Sequence, residues 1–338
     1  MRFVHFPEAL RTLLIGTIIS VIGPIAPAAA QTIESFDPAG SIATYVYAIN
    51  KNSVVTGAYS DSSHVWHGFV RSAKGAMTRF SVTGATATIA NAINDGGTIA
   101  GRYADANGIY RGFIRAADGA ITIFSHARAE GTAPCGIDTN GAVAGYWLDS
   151  NAASHGFLRS AAGRTISFDP TGATGTYPFG INDSATIVGA YTDSTATHGF
   201  VRTAKGEITS FDNPSGSGNT YAHTVDTTGD SAGVYFPASS TEAHGFLRTA
   251  DGTITTFDPT GSTDTYVESI NDSYTLAGYY YDSGHVAHGF YGTSGGAVTN
   301  IDPAGSTGTF AYSINAGGTI AGSWYDANHQ LHGFLYVP

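Results

Sequence analysis

In each copy of a recurring segment, one position three residues after a repeated threonine carries different chemistry. It reads Tyr47, Asn91, Cys135, Phe179, His223, Glu268 and Tyr312. A thiol, an imidazole, a carboxylate, an amide and two phenols drawn together would form a pocket with acid–base capacity. Cys135, His223 and Glu268 are therefore catalytic candidates, and Tyr47, Asn91 and Tyr312 candidates for ligand contact. Cys135 can act as a nucleophile only if a nearby base makes it a thiolate. Two copies also break consensus elsewhere. The third has His126-Ala127-Arg128-Ala129-Glu130 where others have Asp-Pro-x-Gly, and the fifth has Glu242 shortly after Phe236-Pro237. A lyase acting on an acidic polysaccharide needs a cation to neutralise the uronate and a base to take its proton. Arg128 and His223 are the candidates for those roles, and Glu130 and Glu242 are added to the binding set.

Other polar columns hardly vary. One carboxylate column runs Asp61, Asp105, Asp149, Asp193, Asp282 and Asp326, and one imidazole column His67, His155, His198, His244, His288 and His332. An aromatic column holds Tyr59, Tyr103, Trp147, Tyr191, Tyr235, Tyr280 and Trp324. Two readings compete: one ligand or cation site per copy, or residues that bond turns and pack between copies. A column kept in nearly every copy is what the second role demands, and it is the stronger reading. Arg71, Arg115, Arg159, Arg202 and Arg248 read by default as solvated. Neither H-E-x-x-H, C-x-x-C nor a calcium-loop pattern occurs, so no metal or other cofactor is expected. Without a G-x-S-x-G elbow there is no case for a serine hydrolase.

The elements that must position these residues follow from the repeat. Phe36, Phe80, Phe124, Phe168, Phe211, Phe257 and Ile301 recur about 44 residues apart. Three columns are constant: a Thr from Thr44 to Thr309, a Gly from Gly57 to Gly322, and a Gly-Phe pair from Gly68-Phe69 to Gly333-Phe334. Four short strand candidates fill each copy, in the first Thr44 to Asn50, Val54 to Tyr59, His67 to Ser72 and Ala76 to Phe80, parted by turn residues. Four antiparallel strands in such a unit make one propeller blade. The seventh copy ends at Pro338 after its third strand, while Thr32 to Phe36 matches a fourth strand. The sequence thus predicts an all-β, seven-bladed β-propeller over residues 31–338, its last blade completed by the N-terminal strand. Closure of this kind removes an exposed sheet edge.

His155-Gly156-Phe157, His198-Gly199-Phe200 and His244-Gly245-Phe246, each followed by Gly and Ile-Thr-x-Phe, resemble the bacterial extracellular HAF-repeat proteins in an H-G-F variant. The resemblance spans nearly all of residues 31–338 and implies a secreted β-propeller, with no activity to carry over.

Residues 1–30 read as a signal peptide: Arg2 and Arg11, an apolar stretch from Leu13 to Ile25, then Ala28-Ala29-Ala30. A secreted or periplasmic protein without membrane insertion is expected. The chain's formal charge is −11, and −12 once Arg2, Glu8 and Arg11 are removed. Such acidity argues against nucleic acid as partner. The lone Cys135 allows no internal disulfide. Two functions remain in view. One is a monomeric, non-enzymatic binding or scaffold propeller of the cell envelope that recognises a glycan or surface protein. The other is a polysaccharide lyase or hydrolase with a single site at the channel mouth.

Overall fold

A computed structural model describes residues 31–338, apart from 128, 214–217, 239 and 296. The signal-peptide segment and Arg128 thus lie outside the described residues. Twenty-eight strands, β1 to β28 in chain order, and no helix make up the described chain.

The first copy forms β2 (Ser41–Ile49), β3 (Val55–Asp61), β4 (Trp66–Arg71) and β5 (Met77–Phe80), within a few residues of the expected strands. Neighbours pair antiparallel, and five further copies repeat this as separate four-stranded sheets. The seventh supplies β26 (Gly308–Ile314), β27 (Ile320–Tyr325) and β28 (Leu331–Val337), and β1 (Thr32–Phe36) pairs antiparallel along β28 from Thr32↔Val337 to Phe36↔Gly333. The first and last sets are not separate sheets as expected. A parallel bridge, Ala43↔Leu331, joins them into one eight-stranded sheet.

Each set packs its Phe of the Gly-Phe pair into the core. Phe69, Phe113, Phe157, Phe200, Phe246, Phe290 and Phe334 are fully buried. Most of these rings meet the anchor Phe of the preceding set edge-on, as Phe69 meets Phe36 at 6.1 Å and Phe113 meets Phe80 at 5.9 Å. The arginine column completes this seam and is not solvated. Arg71 is 3 % exposed, its guanidinium lies 4.9 Å from the Phe36 centroid, and the other four sit likewise over Phe80, Phe124, Phe168 and Phe211. A cation over an aromatic face keeps part of its electrostatic stabilisation when taken out of water.

The constant polar columns are consumed internally. Asp61 Oδ1 accepts from the Ser63 and Val65 amides of its own turn, and Asp61 Oδ2 lies 3.0 Å from His67 Nε2. The other face of the imidazole column reaches the Asp of Asp-Pro: His332 Nδ1 is 2.6 Å from Asp37 Oδ2, while Asp37 Oδ1 accepts from Thr44 Oγ1 at 2.5 Å. Rings of the aromatic column lie on these imidazoles, as in Tyr59–His67 and Trp147–His155. His–Asp–Thr therefore ties one set's outer edge to the next set's inner strand here and again at His155–Asp169–Thr176, whereas the Thr88, Thr132 and Thr220 hydroxyls accept from backbone amides of the same connection.

Every inner strand carries a β-bulge at the same place. In β2 the register shifts between Val46 and Ala48, so Tyr47 is the extra residue. The bulged residues in the remaining copies are Asn91, Cys135, Phe179, His223, Glu268 and Tyr312. The bulge breaks the two-residue alternation of a strand: Val46 and Ile49, three apart, share one core cluster.

Candidate functional site

A bulge re-aims the side chain of the residue it adds. Seven bulges here turn seven side chains onto one cavity of about 340 Å³, lined by Tyr47, Asn91, Cys135, Phe179, His223, Glu268, Tyr312 and Arg102. All the variable-column candidates are thus brought together. Glu130 and Glu242 are not among the lining residues. They are exposed, Glu130 just before the third inner strand β10 (Gly131–Ile137) and Glu242 in the connection after β19 (Ser231–Phe236).

His223 Nδ1 lies 3.2 Å from Glu268 Oε2, off the axis of a good hydrogen bond, so the contact is an ion pair more than an aligned bond. Burial works against the imidazolium, but the Glu268 carboxylate outweighs it and holds the His223 pKa above its ordinary value. Phe179 stands edge-on to the imidazole at 5.5 Å. Asn91 Nδ2 donates to the Pro134 carbonyl at 2.7 Å, so its amide is committed to the next inner strand. Burial, and for Tyr312 the charge of Glu268, pushes the Tyr47 and Tyr312 phenols up, which keeps both as neutral hydrogen-bonding groups.

Cys135 is a poor nucleophile in this setting. Burial pushes its thiol up to about 12, against a weaker opposing pull from Arg102, and the sulfur contacts the Ala133 carbonyl at 3.5 Å. Among the described residues no hydrogen bond or ion pair links it to His223. The folded protein should resist alkylation by iodoacetamide at pH 8 and react fully once denatured. Labelling monitored by intact mass checks this, and rapid modification of the native chain would restore Cys135 as a thiolate candidate.

Two features escaped the sequence reading. Arg102, on β7 (Ile99–Ala104), occupies the position directly after the constant Gly, which elsewhere holds Ala58, Tyr146, Ala190, Val234, Tyr279 and Ser323. This column also varies in chemistry, a signal of the same kind as the inner-strand one. The second feature is an arc of aromatic rings spanning the sixth, seventh and first copies. Tyr266 stacks on Tyr279 at 4.8 Å, Tyr279 meets Phe310 at 5.0 Å and Tyr312 at 6.3 Å, and Tyr45 stacks on Tyr47 at 6.0 Å. Of these rings Tyr47 and Tyr312 line the cavity, together with Phe179 of the fourth copy.

A second cavity, of about 270 Å³, lies at the turns that follow the inner strands. Side-chain amides relay there from copy to copy: Asn50 to the Asn94 carbonyl at 3.0 Å, Asn94 to Asp138, Asn182 to Asp226, Asn271 to Asn315, and Asn315 back to the Asn50 carbonyl at 3.2 Å. Asp138 and Asp226 occupy the same column without an amide to donate. Among the described residues no group of three or more His, Cys, Asp or Glu is placed to hold a metal ion.

No family model matches the chain, and neither does any curated protein. Solved structures do. The crystal structure of virginiamycin B lyase from Staphylococcus aureus aligns with a TM-score of 0.61 at 14 % identity, covering 91 % of this chain and 100 % of that one. The β-propeller domain of the Trilobed protease from Pyrococcus furiosus gives 0.63 at 9 % identity over 88 % and 94 %. Oligogalacturonate lyase in complex with manganese gives 0.62 at 10 % identity over 91 % and 96 %. At these identities the likeness is one of fold, and the fold is a β-propeller.

Proposed function

We propose that this chain is an exported binding protein: a seven-bladed β-propeller, closed by β1 and related to the HAF-repeat proteins, that holds a glycan at one asymmetric site on its axis. The observation that carries this reading is the convergence of the seven bulged residues on a single cavity beside an arc of aromatic rings. Aromatic faces suit sugar rings, and neutral phenols such as Tyr47 and Tyr312 suit their hydroxyls. The repeated Asp, His and Tyr columns are already spent on turns and seams, which leaves the axial cavity as the place for a ligand and argues against one site per blade. The N-terminal thirty residues, read as a signal peptide, fit a cell-envelope or extracellular location.

The His223–Glu268 pair favours a second reading, a lyase or hydrolase at the same cavity, because a carboxylate-supported imidazole can move a proton. A glycan array followed by titration and a depolymerisation assay separates the two. Saturable binding without turnover is expected, weakened about tenfold or more by Tyr312→Ala, since Tyr312 lines the cavity and an aromatic contact is worth roughly 1 kcal/mol beyond its buried area. Turnover lost in His223→Ala would replace the binding reading with the enzymatic one. Binding that ignores Tyr312 would place the site elsewhere.

A further inference from the structure

Resting on the glycan-binding reading, we infer that the axial cavity takes a sugar acid, with the ligand carboxylate on Arg102 and its ring against the Tyr47 and Tyr312 phenols.

Arg102 is the permanently cationic group of this cavity. Among the described residues no carboxylate lies within ion-pair distance of it, and its buried Nε has no hydrogen-bond partner. Its guanidinium has one ring contact, 5.2 Å from the Tyr110 centroid. The five arginines of the constant column also lie over a ring, and Arg115, Arg202 and Arg248 share an unpartnered Nε, but each of the five donates from Nη1 to the carbonyl of the next residue, whereas Arg102 makes no hydrogen bond to the described residues. Removing a guanidinium from water is costly unless an anion pairs with it, and a planar fork of donors matches a carboxylate better than any neutral group.

The negative charge of the cavity sits elsewhere. Glu268 comes from the sixth copy and already faces His223 of the fifth, whereas Arg102 belongs to the second. The site thus offers an unclaimed cation together with the phenolic hydroxyls of Tyr47 and Tyr312. A ligand complementary to both has a carboxylate attached to a polyhydroxylated ring. The protein's acidity makes the point sharper: with a net charge of −11, its surface field repels anions, so an anion site needs a dedicated cation.

The test is calorimetric titration of the protein with short uronate oligosaccharides, each as the free acid, as its methyl ester and as the neutral hexose analogue. The free acid should bind about 10- to 100-fold more tightly than its ester, the range for one charged hydrogen-bonded contact. Arg102→Gln should erase the acid's advantage over its ester, and Arg102→Lys should retain part of the preference. Equal binding of acid and ester would overturn this inference and leave glycan binding standing. An acid preference that survives in Arg102→Gln would overturn the role of Arg102. Citrate binding as tightly as the sugar acid would remove the sugar from the assignment, and no binding by any glycan would end both readings. Should Arg102→Gln fail to fold, the acid–ester comparison on the unaltered protein still decides the ligand class.

Discussion

Deletion of Gln31–Asp37 should abolish cooperative folding, although it removes only seven residues at one end of the described chain. β1 is the fourth strand of the C-terminal set, and its loss leaves β28 with an unpaired edge open to association with other chains. Three seam contacts disappear as well. Phe36 no longer fills the space beside Phe69 and under Arg71, a loss of about 3 kcal/mol by the usual cost of emptying an aromatic site. Arg71, buried in the neighbouring set, loses both that ring and its ion pair with Glu34, and a stranded buried cation costs about 3–5 kcal/mol. Asp37, which joins His332 to Thr44, goes too. Together these losses approach the whole stability of a typical domain, about 5–15 kcal/mol. Urea unfolding followed by circular dichroism, with size-exclusion chromatography, measures the outcome: a broad or absent transition and self-association are expected. A monomeric variant with an unchanged midpoint would mean that β1 does not close the structure.

What the sequence revealed and what it concealed have separate causes. The repeat was legible because turn residues and anchor phenylalanines recur at an almost fixed spacing, and this alone located the strands to within a few residues. Pairing of β1 with β28 was legible because Thr32 to Phe36 repeats a motif that the last copy lacks. The cavity was half legible. The variable column stood out against constant neighbours, but nothing in one strand's sequence shows that Tyr47 or His223 is a bulged residue, since a bulge is a relation between two strands. Reading β2 with strict alternation puts Val46 and Ile49 on opposite faces, whereas the structure packs both in one core. The arginine column was misjudged for a related reason. Its partner ring belongs to the preceding copy, and residue type alone gives no hint of an aromatic face beneath a strand arginine. Arg102 and Tyr279 are masked in the sequence because the variable column that holds them adjoins the nearly uniform aromatic one.

The constant glycine and the variable bulge are two sides of one device, and Gly57→Ala should show it by costing about 3 kcal/mol or more. Gly57 pairs with Val46, the residue just before the bulge. A Cβ on Gly57 would come within 2.0 Å of the Tyr45 carbonyl oxygen and 2.9 Å of the buried Phe69 ring. The same clash recurs in each copy, at 2.0 to 2.3 Å from the equivalent carbonyl for Gly101, Gly145, Gly189, Gly233, Gly278 and Gly322. Backbone cannot give way as a flexible side chain does, so the added methyl must push the inner strand inward or unseat the phenylalanine, and overpacking of this kind is expensive. Gly40→Ala is the control. Gly40 adopts a φ of +80° with nothing within 4 Å of an added Cβ, so that change should cost only about 1 kcal/mol of left-handed strain. If chemical denaturation finds the two variants equally stable, close approach is not why the column is constant. If Gly57→Ala is the weaker fold, titration with the best-binding glycan should also show a loss of affinity, because the strand that must shift is the one whose bulge turns Tyr47 into the cavity. The glycine is constant because every copy needs the close approach, whereas the bulged residue two places after Tyr45, and its counterparts, can vary from copy to copy.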